Sequence, residues 1–425
     1  MSDTTIAAVK GRRVWDSRGR PTVEAEIELA GGARGRAISP AGASMGAGEA
    51  VDRRDGGSAF GGLGVTLAMN AVNSEIAGAL RGRDAADQHA IDKRLIALDG
   101  TPNKARLGGN AIIAVSMAAA HAAAAARGLP LWQHLGGDAA KTIPLPEIQI
   151  FGGGAHAGGR LDVQDFMVIC PGARSFAQAL DWTAEVYRAA GALMKDEGRL
   201  RGVADEGGYW PEFDGNEQAL AMLLRAIERA GYAPGEQVAI SLDIAASQFG
   251  KRGRYRLARD RRDLDSDAWG EVLLRWIERY PIRMIEDPMA EDDPEGFAHF
   301  TSAVKGRVQV VADDLVVTSA QRIADMARRG AGDAALIKPN QAGTLTEAKA
   351  ALDAARDAGW GAIVSARSGE SEDVTIAHLA VGWGVGQFKV GSFTRSERMA
   401  KWNEMLRIEE ALGARAKFAG KNVLP

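Results

Sequence analysis

The chain of 425 residues contains a single cysteine, Cys170. One thiol excludes an intrachain disulfide framework and a zinc site built from several cysteines, and we expect it to be buried and inert in a reducing compartment. An excess of charge is also missing, since 52 basic and 55 acidic residues leave a net charge of −3. This balance gives no electrostatic reason to expect a nucleic acid or an anionic membrane surface as a partner.

Long hydrophobic runs and a targeting segment are absent as well. The first residues, MSDTTIAAVKGRRVWDSRG, lack a basic start followed by an apolar stretch. The longest uncharged run, residues 108–126, is mostly alanine and contains Asn110 and His121. We therefore predict a packed helix rather than a membrane span, and a cytoplasmic protein.

The first third of the chain has the pattern of a small α+β domain, which we assign to residues 1–137. The run PTVEAEIEL alternates with period two and precedes Gly31 and Gly32, so it predicts a half-buried antiparallel strand. Residues 39–57 are rich in glycine and other small residues, which is typical of a loop that closes over a site. Helical periodicity follows as far as Leu135.

From Ile143 onward, short apolar runs alternate with amphipathic segments, which predicts a parallel sheet covered by helices. Eight candidate strands favour a closed (β/α)8 barrel over residues 138–425. An open doubly wound sheet is the alternative, but no G-x-G-x-x-G motif supports its dinucleotide-binding form. The candidate strands lie in IPLPEIQIFGGG, DVQDFMVIC, QVAISLD, IRMIED, VQVVADD, AALIKPN, GAIVSARSG and GQFKVG.

Acidic residues end three successive candidate strands. Asp243, Glu286 and Asp313 are separated by 43 and 27 residues, about one βα unit each, so they should meet at the carboxyl end of the barrel. Carboxylates that converge on one point retain protons unless a cation neutralises them. Oxygen ligands without cysteine or clustered histidine favour Mg²⁺, although any one of these residues alone could be a helix cap. We expect Asp287 and Asp314 to make supporting or capping hydrogen bonds.

Two lysines are predicted beside this metal. Lys338 ends the next strand, and Lys389 lies on the last one. We expect the cation and burial to lower the pKa of Lys338, so that it can act as a general base. Two ammonium groups beside a metal suit a substrate with several negative charges, whereas either lysine alone could be a surface residue.

Three loops give weaker signals. ADEGGYWP carries Glu206, and GGGAHAGG carries His156 but lacks the Lys-Ser/Thr of a phosphate loop. We expect His156 to move between open and closed positions. ARSGESED offers Arg367 and Ser368 as an anion clamp, because a guanidinium fork and a hydroxyl match phosphate oxygens.

Taken together, these motifs resemble the enolase family of phosphopyruvate hydratases, in order along nearly the whole chain. The resemblance implies a β2α2(βα)6 barrel with an N-terminal domain, two Mg²⁺ ions, a homodimer or larger homo-oligomer, and the glycolytic dehydration of 2-phosphoglycerate to phosphoenolpyruvate. The motifs are DSRGRPTVE, AGASMGAGEA, HAGG, DVQDFMV, DEGG, LDIAAS, IEDP, VADDL, IKPNQAGTLTE, RSGESED and RSERMAKWNEMLRIEEALG.

The resemblance also implies roles for the metal ligands and the base. Asp243, Glu286 and Asp313 would hold the first Mg²⁺, and Ser44 would hold the second when its loop closes. Lys338 would remove the proton alpha to the carboxylate, following the lysine-and-Mg²⁺ pattern already known for the enolase superfamily.

The remaining implied roles concern the substrate. Lys389 would stabilise the enolate together with the metals, Arg367 and Ser368 would hold the phosphate, and Glu206 would help the hydroxyl leave. The other implied candidates are Asp165 and His156 for catalysis, and Gln164, His156, Lys389 and Ser44 for substrate binding.

The chain departs from the family pattern around the expected leaving hydroxyl. Ala366 replaces a histidine, Asp165 a glutamate and Gly152 an asparagine, while Met45 and Arg20 also differ. An alternative function is therefore that of a paralogue using phosphoenolpyruvate or a related phospho or phosphono acid, as in a carboxyphosphonoenolpyruvate synthase-like reaction. Gly152 and Ala366 would then leave room for a second small substrate. A non-catalytic binding protein is disfavoured because the metal carboxylates and lysines are retained.

Overall fold

The computed structural model of the chain describes residues 3–43 and 46–425. The fold begins with an antiparallel three-stranded sheet followed by helices. These elements are β1 (Ile6–Trp15), β2 (Pro21–Leu29), β3 (Arg34–Ile38), α1 (Thr66–Ala71), α2 (Ala77–Leu80), α3 (Gln88–Asp99), α4 (Gly109–Ala126) and α5 (Leu131–Gly136). A π-helical turn, Val72–Ile76, joins α1 to α2.

The central strand β2 is more buried than its sequence predicts. The alternation of PTVEAEIEL suggested a half-buried strand, but none of its residues is exposed. β2 pairs with β1 on one side and with β3 on the other, and α4 packs across it. The acidic residues of β2 can be buried because they form ion pairs. Glu24, for example, contacts Arg12 and lies 3.4 Å from Arg36.

The alanine-rich helix α4 is a core helix, as predicted. It is long and apolar enough to cross a membrane, but 83% of it is buried inside the protein. Alanine side chains let the helix approach the sheet closely, and Gly35 on β3 completes the fit. A Cβ atom on Gly35 would lie 2.1 Å from the backbone nitrogen of Ala122.

The rest of the chain forms a closed eight-stranded barrel with helices outside it, which confirms the predicted fold class. The barrel strands are β5 (Leu145–Gly152), β6 (Asp165–Ile169), β7 (Ala239–Asp243), β11 (Ile282–Glu286), β12 (Gln309–Ala312), β13 (Ala334–Ile337), β14 (Gly361–Ser365) and β15 (Gln387–Ser392). The short outer strands are β4 (Thr142–Ile143), β8 (Gly250–Lys251), β9 (Arg254–Leu257), β10 (Arg262–Asp265) and β16 (Lys417–Phe418). The helices are α6 (Phe176–Asp196), α7 (Asn216–Arg229), α8 (Ser266–Arg279), α9 (Pro294–Val304), α10 (Ala320–Arg329), α11 (Pro339–Ala342), α12 (Leu345–Asp357), α13 (Thr375–Gly382) and α14 (Ser396–Leu412).

The second barrel strand corrects the prediction of an all-parallel sheet. β6 runs antiparallel to both β5 and β7, because β5 and β6 follow each other without a crossover helix. The order of elements is therefore β2α2(βα)6, as the resemblance implied. The reversal has a consequence for the site, since the first residue of β6, Asp165, lies opposite Asp243 at the end of β7.

Below the site, the barrel strands bury an apolar cluster together with a few polar side chains, among them Glu147, Gln309 and Gln387. Every barrel strand except β15 contributes to the apolar cluster. Its members are Leu145, Ile169, Ala239, Met284, Val311, Ala334, Leu336 and Ile363. This packing fixes the strands, so the residues at their carboxyl ends have defined positions.

The contact between α4 and β3 can be tested with Gly35→Ala. The added methyl group would overlap backbone atoms of α4, which cannot move aside as a flexible side chain can. We expect a loss of about 1–3 kcal/mol or more in the free energy of unfolding, measured by urea denaturation. Gly78→Ala is the matched control, because Gly78 lies in α2 with no atom within 4 Å of an added Cβ. Equal stability of the two variants would contradict the close packing.

Candidate functional site

A small polar cavity lies at the carboxyl end of the barrel, where loops of the N-terminal domain meet the strand ends. It brings together most of the predicted site residues. The cavity is lined by Ala43, His156, Gln164, Asp165, Glu206, Asp243, Lys338, Ser365, Ala366, Arg367, Ser368, Lys389, Val390 and Gly391. The two other predicted metal ligands, Glu286 and Asp313, contact the cavity lysines, and Ser44 lies outside the described residues.

Lys389 on β15 is surrounded by carboxylates. Its Nζ lies 2.7 Å from Asp243 Oδ2, 2.7 Å from Glu286 Oε2 and 3.5 Å from Asp165 Oδ2. Burial disfavours the charged amine, but Asp243 and Glu286 outweigh it and raise the pKa of Lys389 well above its usual value. Lys389 therefore stays protonated and contributes a positive charge to the cavity.

Lys338, at the end of β13, contacts Asp313, which also accepts a hydrogen bond from Gln341 Nε2 at 3.1 Å. The sequence argument expected a lowered pKa for this lysine. That expectation included a bound cation, so it stays a prediction, and the protein groups alone act in the other direction. Burial is the largest single effect and lowers the pKa of Lys338, but the surrounding carboxylates, led by Asp313 and followed by Glu286, together give a net upward shift. Lys338 can serve as a base only when another cation pairs with Asp313, because that pairing would lower the pKa of Lys338.

The donor set fits a divalent cation. Asp243 Oδ1 and Glu286 Oε1 are buried and have no hydrogen-bond partner within the described residues. Buried oxygens without partners are costly, and a hard cation would satisfy them. Burial, followed by the charge of Asp243, raises the pKa of Glu286 well above its usual value, which is the strain that a cation would relieve. Asp243, Glu286 and Asp313 could hold such an ion.

Two tighter acidic clusters occur in the described ranges, and neither is the predicted set. One contains Asp287, Asp313 and Asp314, with potential ligand atoms within 4.8 Å of each other. The role of Asp287 is evident from its bonds, because its carboxylate accepts from the backbone nitrogens of Asp313 at 2.9 Å and Asp314 at 2.8 Å. It therefore orients the turn that carries Asp313, a supporting role of the kind expected from its position.

The second cluster joins His156, Asp165 and Glu206, of which Asp165 also lies 3.5 Å from Lys389. His156 Nδ1 lies 3.3 Å from Asp165 Oδ1, and its Nε2 lies 3.4 Å from Glu206 Oε1 and 2.9 Å from Ser368 Oγ. Burial lowers the pKa of His156, but Glu206 and Asp165 together outweigh it and raise the value. Burial is the largest single effect and raises the pKa of Glu206, but His156, Arg398 and the two lysines together outweigh it, so the net shift is downward.

The predicted anion clamp is occupied by a residue that the sequence argument missed. Arg367 donates through Nη1 to Glu49 Oε2 at 3.0 Å and through Nη2 to Glu49 Oε1 at 3.3 Å. Glu49 belongs to the glycine-rich loop of the N-terminal domain, whose small residues were the only available signal. Arg398 was also missed, and it donates to the backbone oxygens of Arg367 and Ser368 from α14. These bonds fix the clamp on both sides.

The glycine-rich loop is anchored where it starts. Ala41 and Gly369 exchange two backbone hydrogen bonds of 2.9 Å, which join the loop to the clamp segment. Arg18 donates to the carbonyl oxygens of Ala41 at 2.9 Å and Gly42 at 3.3 Å, and its guanidinium is held by Asp16. The DSRG motif therefore holds the loop at the entrance of the site and is not among the cavity-lining residues.

Ala366 and Gly152, two positions that depart from the family pattern, differ in their effect on the shape and lining of the cavity. The methyl group of Ala366 lines it and offers no hydrogen-bond donor there. Gly152 does not enlarge it, because a Cβ atom on Gly152 would lie 2.7 Å from Ala204 Cβ. The idea that Gly152 leaves room for a second substrate is therefore wrong, since Ala204 already fills that space.

Cys170 has no part in the site. Its thiol is buried, and burial raises its pKa to about 12, so it stays protonated at neutral pH. The thiol lies near Ala179 O at 3.5 Å and Thr183 Oγ1 at 3.7 Å, within the packing of α6. This confirms the expected buried and inert thiol.

Comparison with known protein families agrees with this geometry. Residues 6–135 match the family described as Enolase, N-terminal domain. Residues 140–425 match the family described as Enolase, C-terminal TIM barrel domain. The two matches span nearly the whole chain, and they agree with the barrel and with the separate N-terminal sheet and helices. The chain belongs to the enolase family, and its two domains are those of an enolase-like lyase.

Proposed function

We propose that the protein is a Mg²⁺-dependent hydro-lyase that converts 2-phosphoglycerate to phosphoenolpyruvate. The observation that carries the proposal is that one cavity holds two sets of groups able to move a proton. Lys338 and Lys389 contact the predicted metal carboxylates, and His156 contacts Glu206. A reaction that removes a proton from one carbon and a hydroxyl from the next needs a base for the first step and an acid for the second.

Metal binding would supply the countercharge for this chemistry. Mg²⁺ held by Asp243, Glu286 and Asp313 would offset the second negative charge that develops on the substrate carboxylate. Ser44 is proposed as a ligand of a second ion. The buried oxygens without partners on Asp243 and Glu286 support the first of these assignments.

The protein residues account for the proton movements. Neutral Lys338 would accept the alpha proton at Nζ, and the electron pair of the broken C–H bond would move into the enolate beside Lys389. The hydroxyl on the neighbouring carbon would then leave as water with a proton from the Glu206–His156 pair. Since the pKa of His156 is raised and that of Glu206 is lowered, the shared proton lies mainly on the imidazole before reaction.

Substrate binding rests on Arg367, Ser368 and Gln164 in this proposal. The phosphate would replace the Glu49 carboxylate at the Arg367 guanidinium, exchanging one anion for another. Gln164 already donates to Asp243 Oδ2 at 2.8 Å, so it can orient a group bound beside the metal. The ligand class is thus a small phosphorylated carboxylic acid.

We also propose that the protein acts as a cytoplasmic homodimer or larger homo-oligomer. An exposed aromatic pair supports the assembly. Trp15 and Phe60 are 50% and 45% exposed, their rings are 5.5 Å apart, and Arg13 lies over both rings. Exposed apolar groups of this size are commonly covered by a partner subunit.

The metal assignment predicts the behaviour of Asp313→Ala. Loss of one carboxylate should weaken Mg²⁺ binding by at least tenfold, about 1.4 kcal/mol, as measured by isothermal titration calorimetry. Turnover should be abolished, while the circular dichroism spectrum stays that of the wild type. Asp325→Ala is the matched control, because Asp325 lies on α10 and pairs with Arg328. Unchanged Mg²⁺ affinity in Asp313→Ala would exclude the assignment.

The base assignment predicts the behaviour of Lys338→Ala. Exchange of the alpha proton of 2-phosphoglycerate with deuterated solvent should stop, because no other group in the proposal accepts that proton. The substrate should still bind through Arg367, as measured by calorimetry. The control is Lys349→Ala, which removes a partly exposed lysine paired with Asp353 on α12. Exchange at the wild-type rate in Lys338→Ala would identify another base.

Ala366 predicts that the two chemical steps proceed at different rates. The groups proposed for proton removal are all present, whereas those proposed for hydroxyl departure lack the donor that a histidine at residue 366 would give. One missing preorganised donor costs about 2.7–4 kcal/mol, or roughly 100–1,000-fold. We therefore expect alpha-proton exchange to outrun dehydration, which is followed by the absorbance of phosphoenolpyruvate.

Ala366→His should raise dehydration more than exchange, whereas Ala366→Leu should add bulk without a donor and should not. Wild-type dehydration that keeps pace with exchange would show that the loss of the histidine is compensated elsewhere. Exchange without any dehydration, even in Ala366→His, would point to a different substrate.

A further inference from the structure

We propose that Gln149 is a positioning residue that holds Asp165 and the Glu206 loop in register with His156. The inference rests on the proposed dehydration, to which it adds a group that does not touch the substrate. Gln149 lies on β5, is completely buried and is absent from the cavity lining. It therefore acts through its neighbours.

Both polar atoms of the Gln149 side-chain amide make hydrogen bonds. Its Nε2 donates to Asp165 Oδ1, and its Oε1 accepts a hydrogen bond of 2.8 Å from the backbone nitrogen of Gly208. Gly208 lies two residues beyond Glu206 in the same tight turn. The approach is close, since a Cβ atom on Gly208 would lie 2.4 Å from Gln149 Oε1. One side chain thus links the strand that carries Asp165 to the turn that carries Glu206.

The orientation of Asp165 determines what His156 can do. Asp165 Oδ1, the atom held by Gln149, also lies 3.3 Å from His156 Nδ1. A proton on Nδ1 that points to this carboxylate leaves Nε2 directed at Ser368 Oγ and Glu206 Oε1. The charged groups that face His156 are Asp165, Glu206 and, further away, Asp243. Fixing Asp165 therefore fixes the imidazole against Glu206.

The lengths of the two side chains are complementary. Asp165 is one methylene shorter than the glutamate of the family pattern, yet its carboxylate is still hydrogen-bonded because the glutamine side chain reaches it from the neighbouring strand. Gln149→Asn combined with Asp165→Glu would move one methylene from one partner to the other. The combined length of the two side chains would then be conserved. Gln149→Asn alone would break the hydrogen bond, and Asp165→Glu alone would bring the two side chains too close.

Steady-state kinetics with 2-phosphoglycerate test the pair. Gln149→Asn and Asp165→Glu should each lower kcat by about 10–100-fold, with a much smaller change in KM. The double variant should recover most of the loss, so the two effects would be strongly non-additive. Gln309→Asn is the matched control, because Gln309 is a buried glutamine bonded to Gln387 at the other end of the barrel. Additive single effects, or wild-type activity in both single variants, would overturn the inference.

A second measurement separates this inference from the proposed function. The chain has six histidines, and His156→Asn identifies the His156 resonance in an NMR pH titration without substrate. In Gln149→Ala the titration midpoint of His156 should fall below the wild-type value, whereas Gln149→Asn combined with Asp165→Glu should keep it near that value. If 2-phosphoglycerate is not the substrate, the kinetics fail but this shift remains. An unchanged midpoint in Gln149→Ala would overturn the role of Gln149 whatever the substrate.

Discussion

The site depends on the neutralisation of buried charge at the mouth of the barrel. Lys389 and Lys338 lie among carboxylates from neighbouring strands, in a place where neither sign could be buried alone. The strands keep these charges at fixed positions because the interior beneath them is packed. Within the described residues, three carboxylate oxygens at the mouth nevertheless have no hydrogen-bond partner, one each on Asp165, Asp243 and Glu286. The lysines therefore satisfy only part of the acidic set, which leaves a defined place for a cation.

The clamp shows how the two domains share one site. Glu49 comes from the N-terminal domain, and Arg367 comes from the segment after β14, yet they form a bidentate and nearly fully buried pair. A buried arginine needs an anion, so the guanidinium is already dehydrated and oriented before any ligand arrives. Under the proposed function, an incoming phosphate would displace a carboxylate that also belongs to the glycine-rich loop. Anion binding and the position of that loop are consequently coupled.

Much of the barrel could be predicted from sequence because its signals are local. Each apolar run marks a strand, and Asp243, Glu286, Asp313 and Lys338 lie where a run ends. The direction of β6 could not be predicted in this way, since an apolar run looks the same in a parallel and in an antiparallel strand. Glu49 was missed because its partner Arg367 is 318 residues away in the chain.

The departures from the family pattern are best understood in pairs. The space beside Gly152 is filled by Ala204, and the shorter side chain of Asp165 is met by Gln149, so each change has a neighbour that restores packing or hydrogen bonding. At Ala366 the cavity is lined by a methyl group, and a donor elsewhere in the same cavity is His156, held at 2.9 Å from Ser368. Of these three positions, residue 366 is therefore the one from which we expect a difference in reactivity from the rest of the family. Under the proposed function, the His156–Glu206 pair, whose geometry depends on Asp165, would then assist the departure of the hydroxyl.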